Sequence, residues 1–462
     1  MTFRSLALLA GLGLAVTACK DSTSVGDLNN VSAEALSAGL TRSSNALLVR
    51  GLLNSTRGDA STDFRPLVFA ETLARDFYRL DNAEPRYISN LIGEFPAEPS
   101  DFIGGGGFTQ FYVTVRAANT ILNALPSATG LSASEVSATS GFVKVFKALA
   151  LYRALELRDS LGIAVDVNHK IEDPPANFVC KPNALAFIST MLDSASTELA
   201  AGGTEFPFPL PSGFTLNGAF TTPASIRQVA QGLKGKIELY RGLSHQKPNA
   251  ASFTAAVTAI NNSFADPAAN PNLGIYNTYS TAAGETQNGL ADANIFLNPF
   301  VGDSIQAGDK RQAKIFAVDP KTLNGVTGRY KTTLTDPSGA LAGSSAILKN
   351  SELLLLRAQA KIELNDLSGA TDDINAVRVS DGGLAPIPIL LSKQAAISAV
   401  LYEKRYSLLA ESAQRLVDLR AYTRLDASAG PGAPGDIFQT ALPIPKSQLD
   451  ARGVTSITPD CP

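Results

Sequence analysis

The feature that most constrains this chain is a helical period that returns again and again, with polar stretches between its runs. Phe111–Leu125 places Phe111, Val115, Ala118 and Leu122 on one stripe and stops at Pro126. Phe142–Leu157 repeats the pattern through Phe142, Val145, Phe146, Leu149, Tyr152, Arg153 and Glu156. Ala184–Leu199 and Ser225–Arg241 are two more, the latter through Ile226, Val229, Leu233, Ile237 and Tyr240. Ser252–Phe264 follows a turn at His245–Pro248. Ser351 is placed to cap Glu352–Leu364, Asn365-Asp366 makes the turn, and Leu367–Val379 ends before Gly382-Gly383. Gln394–Leu409 and Arg415–Leu425 complete the series.

In the pair at 352–379, Ala358 and Ala360 leave room for a short-turned partner helix, the physical basis of tetratricopeptide-type hairpins. The expected fold is therefore mainly α: an irregular helical body with tetratricopeptide-like hairpins and long loop insertions, forming a single domain over 31–462. The insertions are Asp81–Phe108, Gly202–Pro223, Asn270–Val301 and Gly302–Ser345. The last holds β-prone Lys314–Val318 and Gly328–Leu334, which predict one small β-hairpin. Loops this long on a compact scaffold are where a ligand surface is expected.

Composition narrows the function classes. The 39 Lys+Arg against 42 Asp+Glu leave no basic excess to track phosphates, which argues against a nucleic-acid binder. Two His and three Cys supply few soft ligands; His169 and His245 are far apart in sequence, so no metal site and no cofactor is expected. There is no G-x-S-x-G elbow and no Walker loop, and Gly104–Gly107 lack the Lys that phosphate cradling needs. Nothing singles out a catalytic carboxylate pair among the 42 acidic residues.

The first residues set a compartment. Arg4 precedes an apolar run through Leu6–Val16, too short for a permanent span, so 1–18 reads as a secretory signal. Val16-Thr17-Ala18-Cys19 resembles the lipobox of bacterial lipoproteins, which implies acylation at Cys19 and a small, polar tether over 19–30. Acyl chains hold such a protein on a membrane, each buried methylene adding about 0.8 kcal/mol. The remaining Cys180 and Cys461 are either a disulfide or two free thiols, since spacing in sequence gives no distance.

A wider resemblance lies in an ordered set of segments. Leu354-Leu355-Leu356-Arg357-Ala358-Gln359-Ala360, Asp366-Leu367-Ser368-Gly369-Ala370 and Ile374-Asn375-Ala376-Val377-Arg378 come first. Tyr402-Glu403-Lys404-Arg405-Tyr406-Ser407-Leu408-Leu409, Arg415-Leu416-Val417-Asp418-Leu419-Arg420 and Leu442–Asp450 follow. Upstream stand Arg116–Leu122 and Lys147–Tyr152. In order and spacing they resemble SusD/RagB outer-membrane nutrient-binding lipoproteins. The departure is at Glu411-Ser412-Ala413-Gln414, Leu416 and Ala421, where the family often carries an aromatic, a glycine and a second basic residue.

The resemblance implies a surface-facing, non-catalytic outer-membrane lipoprotein that captures a nutrient, with an oligosaccharide foremost, for a SusC-like TonB-dependent transporter. It also implies a ligand surface on the loops, whose candidates here are Asp81, Asn82, Arg86, Tyr87, Tyr276, Tyr279, Asn294 and Phe296. The absence of Trp removes the best stacking surface and leaves peptides and other small nutrients open. Arg415, Asp418 and Arg420 read as a structural, salt-bridged buttress of the last helix. The competing readings are a helical-repeat envelope scaffold and a surface hydrolase.

Overall fold

The computed structural model describes residues 39–58, 66–170, 172–215, 218–244, 248–430 and 436–460. The signal 1–18, the tether 19–30 with Cys19, His245 and Cys461 lie outside the described residues.

Among the described residues there are eleven principal helices, nine at the expected helical periods and two, the first in the chain, that the sequence reading did not place. They are α1 (Arg42–Ser55), α2 (Pro66–Leu73), α3 (Gly106–Ala124), α4 (Ala133–Arg158), α5 (Lys181–Ala200) and α6 (Pro223–Leu243). The rest are α7 (Ala250–Asn261), α8 (Asn350–Glu363), α9 (Leu367–Ser380), α10 (Lys393–Ser407) and α11 (Gln414–Ala421). Neighbours in sequence pack on one another from α3 to α7, and again through α8, α9 and α10, with α8 also against α7 and α6. This is the mainly α body of helix hairpins that the sequence predicts.

Side-chain caps start several of the helices. Ser132 caps α4 in a reciprocal box with Glu135, Thr222 caps α6 with Ser225 and Pro223 in the first turn, and Asp366 caps α9 through the Gly369 amide at 2.9 Å. At α8 the expected cap fails. The N-cap is Lys349, and Ser351 lies inside the helix with its hydroxyl buried and unpartnered. Asn350 anchors that end instead, its amide accepting from Asp266 N at 2.9 Å and donating to Asp266 O at 2.8 Å. Close helix approach depends on glycine at Gly141 of α4, where a Cβ would stand 2.9 Å from the Ala195 carbonyl of α5.

Two large apolar cores result among the described residues, beside two smaller clusters at the strand pairs Phe77–Arg79 with Ile295–Leu297 and Ile163–Ala164 with Phe178–Val179. The main one runs through α1–α8 and α11, while a second fills the space between α8, α9 and α10 with Leu355, Ala358, Ile374, Val377 and Val400. The two alanines of α8 serve opposite faces: Ala358 lies in the second core and Ala360 in the first.

The strands exceed the single expected hairpin. β6 (Ile315–Leu323) and β7 (Val326–Thr332) form it, turning at Asn324-Gly325 with positive φ at both residues. It extends into a four-stranded antiparallel sheet, ordered β1-β5-β7-β6, by adding β1 (Phe77–Arg79) and β5 (Ile295–Leu297). Two further antiparallel pairs are β2 (Ile163–Ala164) with β3 (Phe178–Val179), and β4 (Gly274–Asn277) with β8 (Ser345–Lys349). The C-terminal segment returns to β3: Asp460 N donates to Phe178 O at 2.7 Å, and Cys180 N donates to Asp460 O at 3.0 Å. Cys180 is disulfide-bonded.

Candidate ligand cleft

The predicted ligand residues fall into two places. Asp81, Asn82, Arg86, Tyr87, Asn294 and Phe296 gather at the sheet end, because β1 and β5 pair with Arg79 opposite Ile295. There the polar groups are spent on one another. Arg79 bridges Asp81 and Asp292, each at 2.9 Å. Arg86 is held to Glu84 and lies 4.2 Å over the Phe102 ring. The Asn294 side chain accepts from Lys321 Nζ at 2.9 Å. Asn82 is exposed.

The aromatics of that group correct the sequence reading. Tyr87 is 1 % exposed, wedged against Phe69 and Phe102 with ring centroids 5.3 and 5.1 Å away. Phe296 is 5 % exposed in a cluster with Tyr78, Leu80, Ile88 and Val326, and Lys331 Nζ covers its ring at 4.8 Å. Neither offers a face for stacking, because apolar burial at the sheet end is worth more than an exposed ring.

Tyr276 and Tyr279 lie elsewhere, on and just after β4. The Tyr276 hydroxyl donates to the Asn272 carbonyl, and burial raises its pKa above the ordinary tyrosine range. Tyr279 shares a hydrogen bond of 3.2 Å with Ser345 and borders a cleft of about 830 Å³. That volume is the size expected of a small-molecule site.

Three chain segments build the cleft: α1, the loop at 209–212 and the strand exit at 278–285. On α1, Ser43, Leu47, Arg50 and Asn54 recur at helical spacing and share the face that lines it. The end of α1 is clamped in place, since Thr56 Oγ1 donates to Asn277 Oδ1 at 2.8 Å and Arg57 lies 6.0 Å over the Tyr279 ring. Pro209, Leu210 and Pro211 supply an apolar wall, and Ser280 and Glu285 add polar groups to those of Arg50 and Asn54. Arg50 and Asn54 are exposed on this wall, and Leu47 is 44 % exposed, a large apolar side chain facing the opening. Such a surface can grip a ligand that combines hydroxyl or charged groups with an apolar face. Of the residues expected from sequence, Tyr279, itself 7 % exposed, borders this cleft; α1 was not among them, and its one legible signal is that spacing of Ser43, Leu47, Arg50 and Asn54.

The buttress residues meet partners the sequence did not suggest. Asp418 is 1 % exposed and accepts from Tyr240 at 2.8 Å and Gln359 at 3.0 Å, with Lys404 Nζ at 2.7 Å. Arg415 has Asp76 of the β1 approach at 3.8 Å and forms no ion pair with Asp418 within 4 Å. Arg420 donates to the carbonyls of Thr440 and Glu156 at 2.8 and 2.6 Å. Among the described residues no cluster of three His, Cys, Asp or Glu is arranged to hold a metal. No described helix is long and apolar enough to cross a membrane.

Comparison with solved structures decides the architecture. A SusD superfamily protein from Parabacteroides distasonis superposes with a TM-score of 0.65 at 14% identity, covering 87% of this chain and 97% of the other. The chain has the SusD-like fold. A SusD-like carbohydrate binding protein from Bacteroides vulgatus matches with a TM-score of 0.63 at 13% identity, covering 91% of this chain and 99% of that one. The B. fragilis protein NanU matches with a TM-score of 0.64 at 16% identity, over 91% and 96% of the two chains. No family model and no curated protein matches the sequence. The likeness to SusD-like proteins is thus one of shape along nearly the whole chain, with few identical residues.

Proposed function

We propose that this chain is a SusD/RagB-type nutrient-binding protein: non-catalytic, lipid-anchored through Cys19, and held at the outer membrane facing outward. Its ligand, an oligosaccharide foremost, sits in the cleft between α1 and the Thr278–Glu285 segment and passes to a SusC-like TonB-dependent transporter. The observation that carries this reading is the end-to-end SusD-like fold, which spans 96–99% of the three solved chains above. The cleft supports it with the apolar wall of Pro209, Leu210 and Pro211 beside the exposed Arg50 and Asn54, a mixture that suits sugar recognition. The lipobox-like Val16-Thr17-Ala18-Cys19 supports the anchor. Cys461 is the proposed disulfide partner of Cys180, because its neighbour Asp460 is bonded to the Cys180 backbone.

The test is calorimetric titration of the purified protein with a panel of neutral and acidic oligosaccharides, in parallel with Arg50→Ala. A member that binds and weakens in the variant is expected. Binding by no member, or turnover of any, counts against the reading. Extraction in mild detergent tests the partner: recovery without a barrel-type protein argues against delivery to a transporter. Mass spectrometry of the mature N-terminus should find acyl chains on Cys19.

A further inference from the structure

A second cavity, apart from the ligand cleft, lies where α10 and α11 meet the short helix Pro299–Asp303 and the segment Arg424–Ser428. It encloses about 230 Å³. Three guanidinium groups line it, Arg405, Arg415 and Arg424, with Ser398 and Ser428 at its exposed mouth.

These three cations have little to neutralise them. Arg405 is 7 % exposed and pairs with Asp76 at 2.6 Å, yet its Nε is buried with no hydrogen-bond partner. Arg415 has the same carboxylate at 3.8 Å, too far for a hydrogen bond, and its buried Nε is also unpartnered. Arg424 forms no ion pair among the described residues and meets only Ser398 Oγ, at 3.2 Å from each terminal nitrogen. Glu71 borders the inner end of this region but contributes little negative charge, because burial and the adjacent Asp76 raise its pKa well above the carboxylate range. Asp76 thus stands nearest to both arginines, with Asp418 adding a weaker attraction on Arg415. Desolvation and the repulsion of Arg405 push Arg415 down to about 10.

Unpartnered buried guanidinium N–H groups are costly unless an acceptor supplies the missing bonds. A planar fork of donors fits a carboxylate, sulfate or phosphate group with two parallel bonds. We infer that this cavity is a binding site for a small oxyanion, taken up through the Ser398–Ser428 mouth and held by Arg415 and Arg424 with Arg405 behind them. The occupant is either a free inorganic anion or the acid group of a small organic molecule. Its binding is independent of the ligand cleft.

The experiment uses the full chain, titrated separately with sodium sulfate, sodium phosphate and sodium acetate, sodium chloride holding ionic strength constant. Saturable heat on calorimetry is expected for at least one probe, with a matching rise in melting temperature. Preference for sulfate or phosphate identifies an inorganic occupant, and preference for acetate identifies an organic acid. Arg415→Gln and Arg424→Ala should each weaken that binding at least tenfold, while Arg86→Ala, at the distant sheet end, leaves it unchanged. Arg424 is half-buried and, among the described residues, outside any ion pair, so its variant serves even if Arg415→Gln does not fold. Absence of saturable binding by all three probes overturns the inference, as does equal binding by wild type and Arg424→Ala.

Discussion

The sheet end and the α1 cleft hold similar residue types in opposite conditions. At the sheet end, Arg79, Asp81, Asp292, Arg86 and Glu84 satisfy one another and the aromatics turn inward. In the cleft, Arg50 and Asn54 face an open volume with an apolar wall alongside. A site therefore needs groups left uncommitted by the fold, and the kind of residue alone does not reveal which are free.

The sharpest way to break this contrast is Phe296→Ala. A fully packed ring at the sheet end should cost about 3–5 kcal/mol of stability on truncation, read as a lower denaturation midpoint, with the affinity of the cleft unaltered. Loss of ligand binding at unchanged stability would return Phe296 to the ligand surface.

A second test concerns charge that the fold has neutralised. Glu71 has a folded pKa above its unfolded value, so the folded state holds its proton more tightly. Its contribution is complete below the unfolded pKa of about 4.3 and is lost as pH rises through the folded value. Over that window wild type should lose up to about 1.4 kcal/mol per pH unit relative to Glu71→Gln. Parallel stability profiles for the two proteins between pH 5 and 8 would refute this.

In the cleft, Arg50→Ala should weaken the best-binding oligosaccharide about tenfold, equivalent to roughly 1.4 kcal/mol. Its denaturation midpoint should match wild type, since Arg50 is exposed and forms no ion pair among the described residues. The smallest effect is expected at Arg86→Ala. An exposed pair with Glu84 is worth about 0–1 kcal/mol, and ligand affinity should not move; a larger loss of affinity would make the sheet end part of the site.

The helices were legible because their apolar period survives any tertiary context. Phe142–Leu157 and Leu367–Val379 were located to within a turn at most ends. Caps were less so: Ser351 has the right chemistry, but the chain enters α8 from β8 and buries it. The hairpin was partly legible from β-prone Lys314–Val318 and Gly328–Leu334, though the turn at Asn324-Gly325 that closes it was not read from the sequence. β1 and β5 were not, because three-residue strands carry no usable period. The sheet-end grouping of Asp81 with Asn294 rests on one long-range pairing that no local pattern encodes. Arg50 and Asn54 were passed over because a surface helix with a polar open face looks like any solvated one.

The return of Asp460 to β3 has a consequence for how the molecule bears load. Chain that leaves Phe178 for the helical hairpins comes back to hydrogen-bond beside it, and Cys180 at the start of α5 is covalently secured. Tension applied near the carboxyl end is therefore delivered to the root of α5, bypassing α8 to α11. Any neighbour that tugs on this end moves the scaffold as a unit and leaves the hairpins seated.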